Sequence, residues 1–245
     1  MFILVYGADG SGKSVQCKSV AEINDNPVHL SFATKNRRLY QDSGVESMEL
    51  LKFNADSTVN PYLTMDAFQD TVSKIIKENV IKLVVIDEIT LLRKWAQPVV
   101  LEELNRIRKA NQKPTLSKIG KDNLAAWARV NEIVYGELER LANWSEINDT
   151  CIIAITAITE ERRLTTNSEG ETSSEATGKY VIDAKLNVKK LADVIVRLEK
   201  DGSKGRGYWV VFEKTQGWMT EGVDAMKVDK QGLFGELITR GVLLS

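Results

Sequence analysis

Apolar residues in this chain occur in two arrangements, short unbroken runs and recurrences every three or four positions, and the two alternate along most of its length. Phe2 to Tyr6 (FILVY) is an unbroken run ending at a glycine, the pattern of a strand covered on both faces as in a parallel sheet. Val28 to Ala33, Lys82 to Ile86 ending in Asp87, and Cys151 to Thr156 repeat that pattern, and Leu50 to Phe53 is a weaker edge-strand candidate. The stretch Lys13 to Ile23 has helical character. Thr64 to Lys77 places Met65, Phe68, Val72, Ile75 and Ile76 on one helix face, and Ala125 to Trp144 does the same with Trp127, Val130, Val134, Leu138 and Leu141. Between Asp87 and Cys151 lies a long, mostly helical insertion. Leu164 to Lys179 (LTTNSEGETSSEATGK) is a Ser/Thr/Glu/Gly run with almost no apolar residues, which reads as a mobile polar loop. Asp193 to Leu198 and Tyr208 to Phe212 are late strands joined by the turn Asp201 to Gly207, a hairpin pattern. Strands separated by helices, then a hairpin, predict an α/β fold: a mostly parallel sheet flanked by helices with an antiparallel edge hairpin. A chain of 245 residues, 43% hydrophobic and without internal repeats, supports one domain with one large core.

Charge and cysteine usage narrow the function classes. Lys and Arg number 33 against 34 Asp and Glu, so no global charge advertises nucleic acid or a membrane surface, and any basic binding face must be local. The two cysteines, Cys17 and Cys151, form no CxxC or Cys/His cluster, so neither a disulfide framework nor a zinc site is implied and a reducing cytoplasm fits. Met1 to Tyr6 is shorter than a signal-peptide core, and no later apolar run approaches the roughly 18 residues of a membrane span.

The chemistry concentrates at the ends of the buried strands. Gly7-Ala8-Asp9-Gly10-Ser11-Gly12-Lys13-Ser14 satisfies GxxxxGK[ST] and sits between a strand and a helix, where the pattern has mechanical meaning. Its glycines let backbone N–H groups approach phosphate oxygens while the new helix presents its positive end to them. Lys13 is the candidate to neutralise β and γ phosphates, and Ser14 the candidate Mg²⁺ ligand. Leu83-Val84-Val85-Ile86-Asp87-Glu88 carries two adjacent carboxylates on the end of an apolar strand. Asp87 would hold Mg²⁺ through water, and Glu88 would either polarise the attacking water or cap the following turn. Thr156, at the end of the next strand, is a candidate γ-phosphate sensor or a structural strand-end residue. His29, the only histidine, lies within an apolar strand and reads as a core residue.

The order of these motifs, with VVIDEIT, WARVNEIVYGELERL, IIAITAIT and TGKYVIDAKLNVKKLADVIVRLE following an N-terminal phosphate loop, resembles the phage-encoded RecA-like P-loop ATPases. These are the minimal RecA-core proteins also described as phage nucleotide-binding proteins, some of which act in single-strand annealing or recombination. The resemblance covers most of the chain and implies a RecA-like core, ATP and Mg²⁺ as cofactors, single-stranded DNA as partner and homo-oligomers. Two departures stand out. The strand VHLSF lacks the terminal Glu that RecA-type ATPases use, which moves the expected role to Glu88, and Ala157 and Ile158 stand where many relatives have a His.

For a DNA face, the polar loop from Leu164 to Lys179 holds Glu169, Glu171 and Glu175 against Lys179 alone, the wrong sign for phosphates. The segment Arg93 to Arg129 instead has nine basic residues, among them Arg106, Arg108, Lys109, Lys113, Lys118 and Lys121, against three acidic ones, a net of +6. Trp95 and Trp127 lie in it and would either stack on a base or belong to the core, just as the charge run is either a binding face or a solvated one. Lys214, by the resemblance, is a candidate to reach a neighbouring subunit's nucleotide, and Arg37 and Arg38 are further basic candidates. Two other classes remain open: a nucleotide-gated assembly protein with little hydrolysis, and a small-molecule kinase, which would need an arginine-rich lid that the acidic loop does not supply.

Overall fold

A computed structural model describes residues 1–22, 24–32, 39–40, 43–120, 122–166, 172–182, 186–200, 208–214 and 225–228. Arg37, Arg38, Lys121 and the turn 201–207 lie outside the described residues. The strands are β1 (Phe2–Gly7), β2 (Pro27–Ser31), β3 (Glu46–Glu49), β4 (Leu83–Asp87), β5 (Cys151–Thr156), β6 (Ile158–Thr166), β7 (Thr172–Ile182), β8 (Val194–Lys200), β9 (Tyr208–Lys214) and β10 (Ala225–Val228). The helices are α1 (Lys13–Glu22), α2 (Pro61–Glu78), α3 (Ile89–Ala110), α4 (Leu124–Ile147) and α5 (Leu186–Leu191). Eight strands form one sheet in the order β10-β9-β8-β1-β5-β4-β2-β3. From β8 to β3 every pairing is parallel, and β9 and β10 close one edge antiparallel, which is the architecture expected from the strand and helix pattern.

Successive residues of a strand point to opposite faces, so each buried strand feeds two cores. Val84 and Ile86 join Phe68 and Val72 of α2, Leu92 and Ala96 of α3, and Val130 and Leu138 of α4. Leu83 and Val85 face the other way, onto Cys17, Val20 and Ala21 of α1. Phe68 is fully buried and meets Phe32 edge to face, ring centroids 5.3 Å apart. Phe68→Ala should therefore lower stability by about 3–5 kcal/mol, read as a drop in the denaturant midpoint at unchanged slope.

Local signals explain where α2 starts and stops. Asn60 accepts a hydrogen bond from the Leu63 N–H at 3.0 Å, Pro61 occupies the first turn where its missing N–H costs nothing, and Asn79 ends the helix in the left-handed region at φ 48°. No helix among the described residues is long and apolar enough to cross a membrane.

Two expectations need correction. The edge strand is Glu46–Glu49, just before Leu50–Phe53: its ladder with β2 ends where the Leu50 N–H bonds to Ser31 O, and its partly exposed residues form no apolar run to mark it. The polar segment Leu164–Lys179 is not a loop throughout. Most of it belongs to the antiparallel ribbon β6–β7, with Leu164 opposite Ser174 and Arg162 opposite Ala176. Its Thr-rich strands satisfy their backbone by pairing with each other, and its root is anchored by Ile158 and the buried Ile182 in the larger core. The basic segment Arg93–Arg129 is part of the same packed domain. It spans most of α3 and the start of α4, and Ala96, Val100, Ile119 and Ala126 are part of the core.

Candidate nucleotide site

The phosphate loop has the shape its glycines predict. Gly10 and Gly12 take φ of 77° and 88°, which side chains disfavour, and Ser11 N–H closes a turn on Ala8 O. Gly7 is required by a close approach: a Cβ there would sit 2.3 Å from Leu198 O of β8 and 2.6 Å from Ser11 Oγ. Gly7→Ala should thus push the loop off β8, cost about 1–3 kcal/mol as an overpacked site and weaken nucleotide binding, measured by thermal melting with and without ATP. Ala8, Asp9 and Gly10 are exposed, while Ser11 is buried with its hydroxyl lacking a hydrogen-bond partner among the described residues. A cavity of about 450 Å³ opens beside the loop, between Tyr6 to Asp9 and Arg197 to Glu199.

Helix α1 begins at Lys13 with no acidic residue of its own in its first turn, so no side chain of the helix offsets its positive end. The Lys13 ammonium is buried and donates to Gly7 O at 2.7 Å and Ala8 O at 3.1 Å, inside the loop it would use to hold phosphates. Ser14 is partly buried, and Val15 beyond it points outwards. Cys17, one turn further, has its thiol pushed well up by burial and then by the charge of Asp87, and burial pushes the Cys151 thiol to about 12. Neither is a nucleophile at neutral pH.

Because odd-numbered positions of β4 face α1, Asp87 arrives on the same side as Ser14. The Ser14 hydroxyl donates to Asp87 Oδ2 at 2.7 Å, joining the two motifs across the intervening strand β5. Glu88 stands at the N-cap position of α3, partly buried, and its side chain makes no cap hydrogen bond. A capping role is therefore not what the Glu88 side chain performs.

Thr156 is fully buried and lies on the other face, where its hydroxyl meets Thr90 Oγ1 at 2.9 Å. Thr90 Oγ1 also accepts from Ala157 N–H at 3.1 Å, so this residue ties the turn after Glu88 to the end of β5 and the root of the ribbon. Contact between Thr156 and a γ phosphate would have to compete with Thr90. The sequence reading passed over Thr90, and also Tyr40, whose fully buried ring stacks on His29 at 3.6 Å and whose hydroxyl donates to Ser14 O at 3.2 Å. No motif marks either residue. His29 is buried as expected, and burial lowers its pKa to about 3, leaving the imidazole uncharged at neutral pH.

The basic segment is unevenly committed. Arg93 lies over the Trp127 ring at 4.9 Å and Lys94 over Trp95 at 4.8 Å, and both indoles pack against the larger core. Trp127 Nε1 further donates to Gly120 O at 3.0 Å. The core alternative for the two tryptophans is therefore the one the contacts favour. Arg129 pairs with Glu103 and Glu132, and Arg106 with Glu102 at 3.9 Å, while Lys109, Lys113 and Lys118 are exposed. Lys214 is the last residue of β9, in register with Ile195. Among the described residues no group of three or more His, Cys, Asp or Glu side chains is placed to hold a metal.

No curated protein matches the chain. A family description does: the AAA domain matches residues 1–222, a span that contains the phosphate loop, the Asp87 strand and Thr156. With a phosphate loop leading into a helix N-terminus, and a carboxylate from a second strand brought against its serine, the chain belongs to the AAA domain family, a P-loop ATPase-type domain.

Proposed function

We propose that the protein is a Mg²⁺-dependent ATP hydrolase acting on single-stranded DNA, in phage or viral recombination or replication. The observation that carries the enzymatic part is the 2.7 Å contact between Ser14 Oγ and Asp87 Oδ2. A hydroxyl and a carboxylate oxygen at the mouth of a phosphate loop are the hard donors that suit Mg²⁺, and the remaining places are left to water and phosphate. The left-handed backbone at Gly10 and Gly12, and the buried Ser11 hydroxyl without a hydrogen-bond partner among the described residues, fit a phosphate chain. When bound, the ion supplies charge neutralisation between the β and γ phosphates.

The chain's own groups divide the rest of the work. Lys13 exchanges its two carbonyl partners for phosphate oxygens, and the first N–H groups of α1 face the same anion. Glu88, uncommitted as a cap, accepts a proton from the attacking water as the new P–O bond forms and the bond to the ADP oxygen breaks. The sequence resemblance and the local excess of basic residues support DNA as the partner.

The test is the steady-state ATPase rate with single-stranded, double-stranded and no DNA at two salt concentrations. Stimulation by single strands that weakens with salt supports the reading. ATP binding with negligible turnover under all conditions would favour a nucleotide-gated assembly protein. If the basic segment is the DNA face, replacing Arg106, Arg108 and Lys109 together by alanine should weaken single-strand binding. It should also reduce the slope of log affinity against log salt by up to about 2, at roughly 0.7 per lost phosphate contact. Basal ATPase should survive, since these residues lie outside the phosphate loop and β4. Shortening the β6–β7 ribbon is the opposing variant: loss of DNA binding there, with the triple change harmless, would move the interface to the ribbon.

A further inference from the structure

His29 occupies a place where packing alone calls for an aliphatic residue. On its own face of β2 it lies between Ser47 of β3 and the fully buried Val85 of β4, and burying an imidazole there is costly unless its ring nitrogens are used. Nδ1 is used: it lies 2.9 Å from Ser47 Oγ, on the strand paired with β2. Nε2 has no hydrogen-bond partner among the described residues, and it points at the site, 4.0 Å from Asp87 Oδ2. That oxygen is the one the Ser14 hydroxyl also reaches.

We propose that His29 is a positioning residue for Asp87, its imidazole held by Ser47 and stacked on Tyr40 so that an Nε2–H is presented to the carboxylate that holds Mg²⁺. This rests on the Mg²⁺ reading above. The tautomer follows from charge. A lone pair on Nε2 would face a carboxylate oxygen of the same sign, whereas an N–H there attracts it, and Nδ1 then accepts from the Ser47 hydroxyl. At 4.0 Å the contact is too long for a hydrogen bond, so it acts as an oriented dipole that biases the carboxylate's rotation. Tyr40 supplies the brace: its ring lies 12° from the plane of the imidazole, and its hydroxyl holds the carbonyl of Ser14. One aromatic pair thus supports both residues proposed to hold the ion, in the way that outer partners orient metal ligands elsewhere.

Two variants and a wild-type measurement test this. His29→Leu keeps volume and loses the N–H, whereas His29→Gln returns a donor at comparable reach. Equilibrium ATP binding is titrated with Mg²⁺ for wild type, both variants and Asp87→Asn. His29→Leu should raise the Mg²⁺ concentration for half-maximal effect on the order of 10–100-fold, with metal-free ATP binding unchanged and His29→Gln close to wild type. Because His29 is the only histidine, the imidazole ¹⁵N spectrum of the intact protein reports it alone. The spectrum should show the Nε2–H tautomer, with that resonance moving when Mg²⁺ and ATP are added. If His29→Leu does not fold, this spectrum decides by itself. An Nδ1–H tautomer, or a normal Mg²⁺ response in His29→Leu beside an impaired Asp87→Asn, would overturn the proposal. A normal response in Asp87→Asn would remove the Mg²⁺ reading itself, and this proposal with it.

Discussion

Lys13→Ala abolishes ATP turnover and strongly weakens ATP binding: this is the largest expected effect of any single substitution in the chain. Lys13 is the one cation inside the phosphate loop, buried, with its ammonium held by Gly7 O and Ala8 O. In that position it is ready to meet phosphate charge as it develops, and removing one such preorganised donor typically costs about 10²–10³ in rate. Binding suffers too, because the same ammonium neutralises ground-state phosphates. Lys13→Arg separates charge from shape, since the planar guanidinium does not fit a space formed by two adjacent carbonyls. The measurement is phosphate release together with ATP-dependent thermal stabilisation. Turnover within a few-fold of wild type in Lys13→Ala would remove the phosphate-loop assignment.

Glu88→Gln has the second largest effect, and of a different kind. ATP affinity is retained while hydrolysis slows on the order of a hundredfold or more, the usual loss when a general base is replaced by its amide. The substitution preserves shape at a position whose side chain makes no cap hydrogen bond, so helix α3 should be undisturbed and thermal stability unchanged. Pre-steady-state measurements should show ATP binding at wild-type rate and a slowed chemical step. Normal turnover in Glu88→Gln would place the catalytic carboxylate elsewhere, and an equal loss in binding and rate would point to a structural role.

Much of this molecule was legible from residue order. Unbroken apolar runs located β1, β4 and β5 to within a residue, and the three- and four-residue spacing located α2 and α4. Those signals are local. A run buried on both faces or a striped helix carries its burial in its own composition. The phosphate loop was equally legible, since its glycines are demanded by backbone geometry within a few residues. The ribbon β6–β7 was misread because its strands satisfy one another's backbone groups without an apolar face to announce them.

What remained for the tertiary structure to decide was which distant groups meet. Ser14 and Asp87, 73 positions apart, come together because β5 enters the sheet between β1 and β4 and because Asp87 falls on the α1 side of its strand. The opposite facing sends Thr156 to Thr90 rather than to the loop, although the sequence marks its strand end in the same way. His29 reads as core by composition, and only the pairing of β2 between β3 and β4 brings its second ring nitrogen towards Asp87. Strand order and facing arise from packing the whole sheet between its two helical layers. Residue type and spacing therefore determined the elements and the phosphate loop, while the sheet as a whole determined the site's partners.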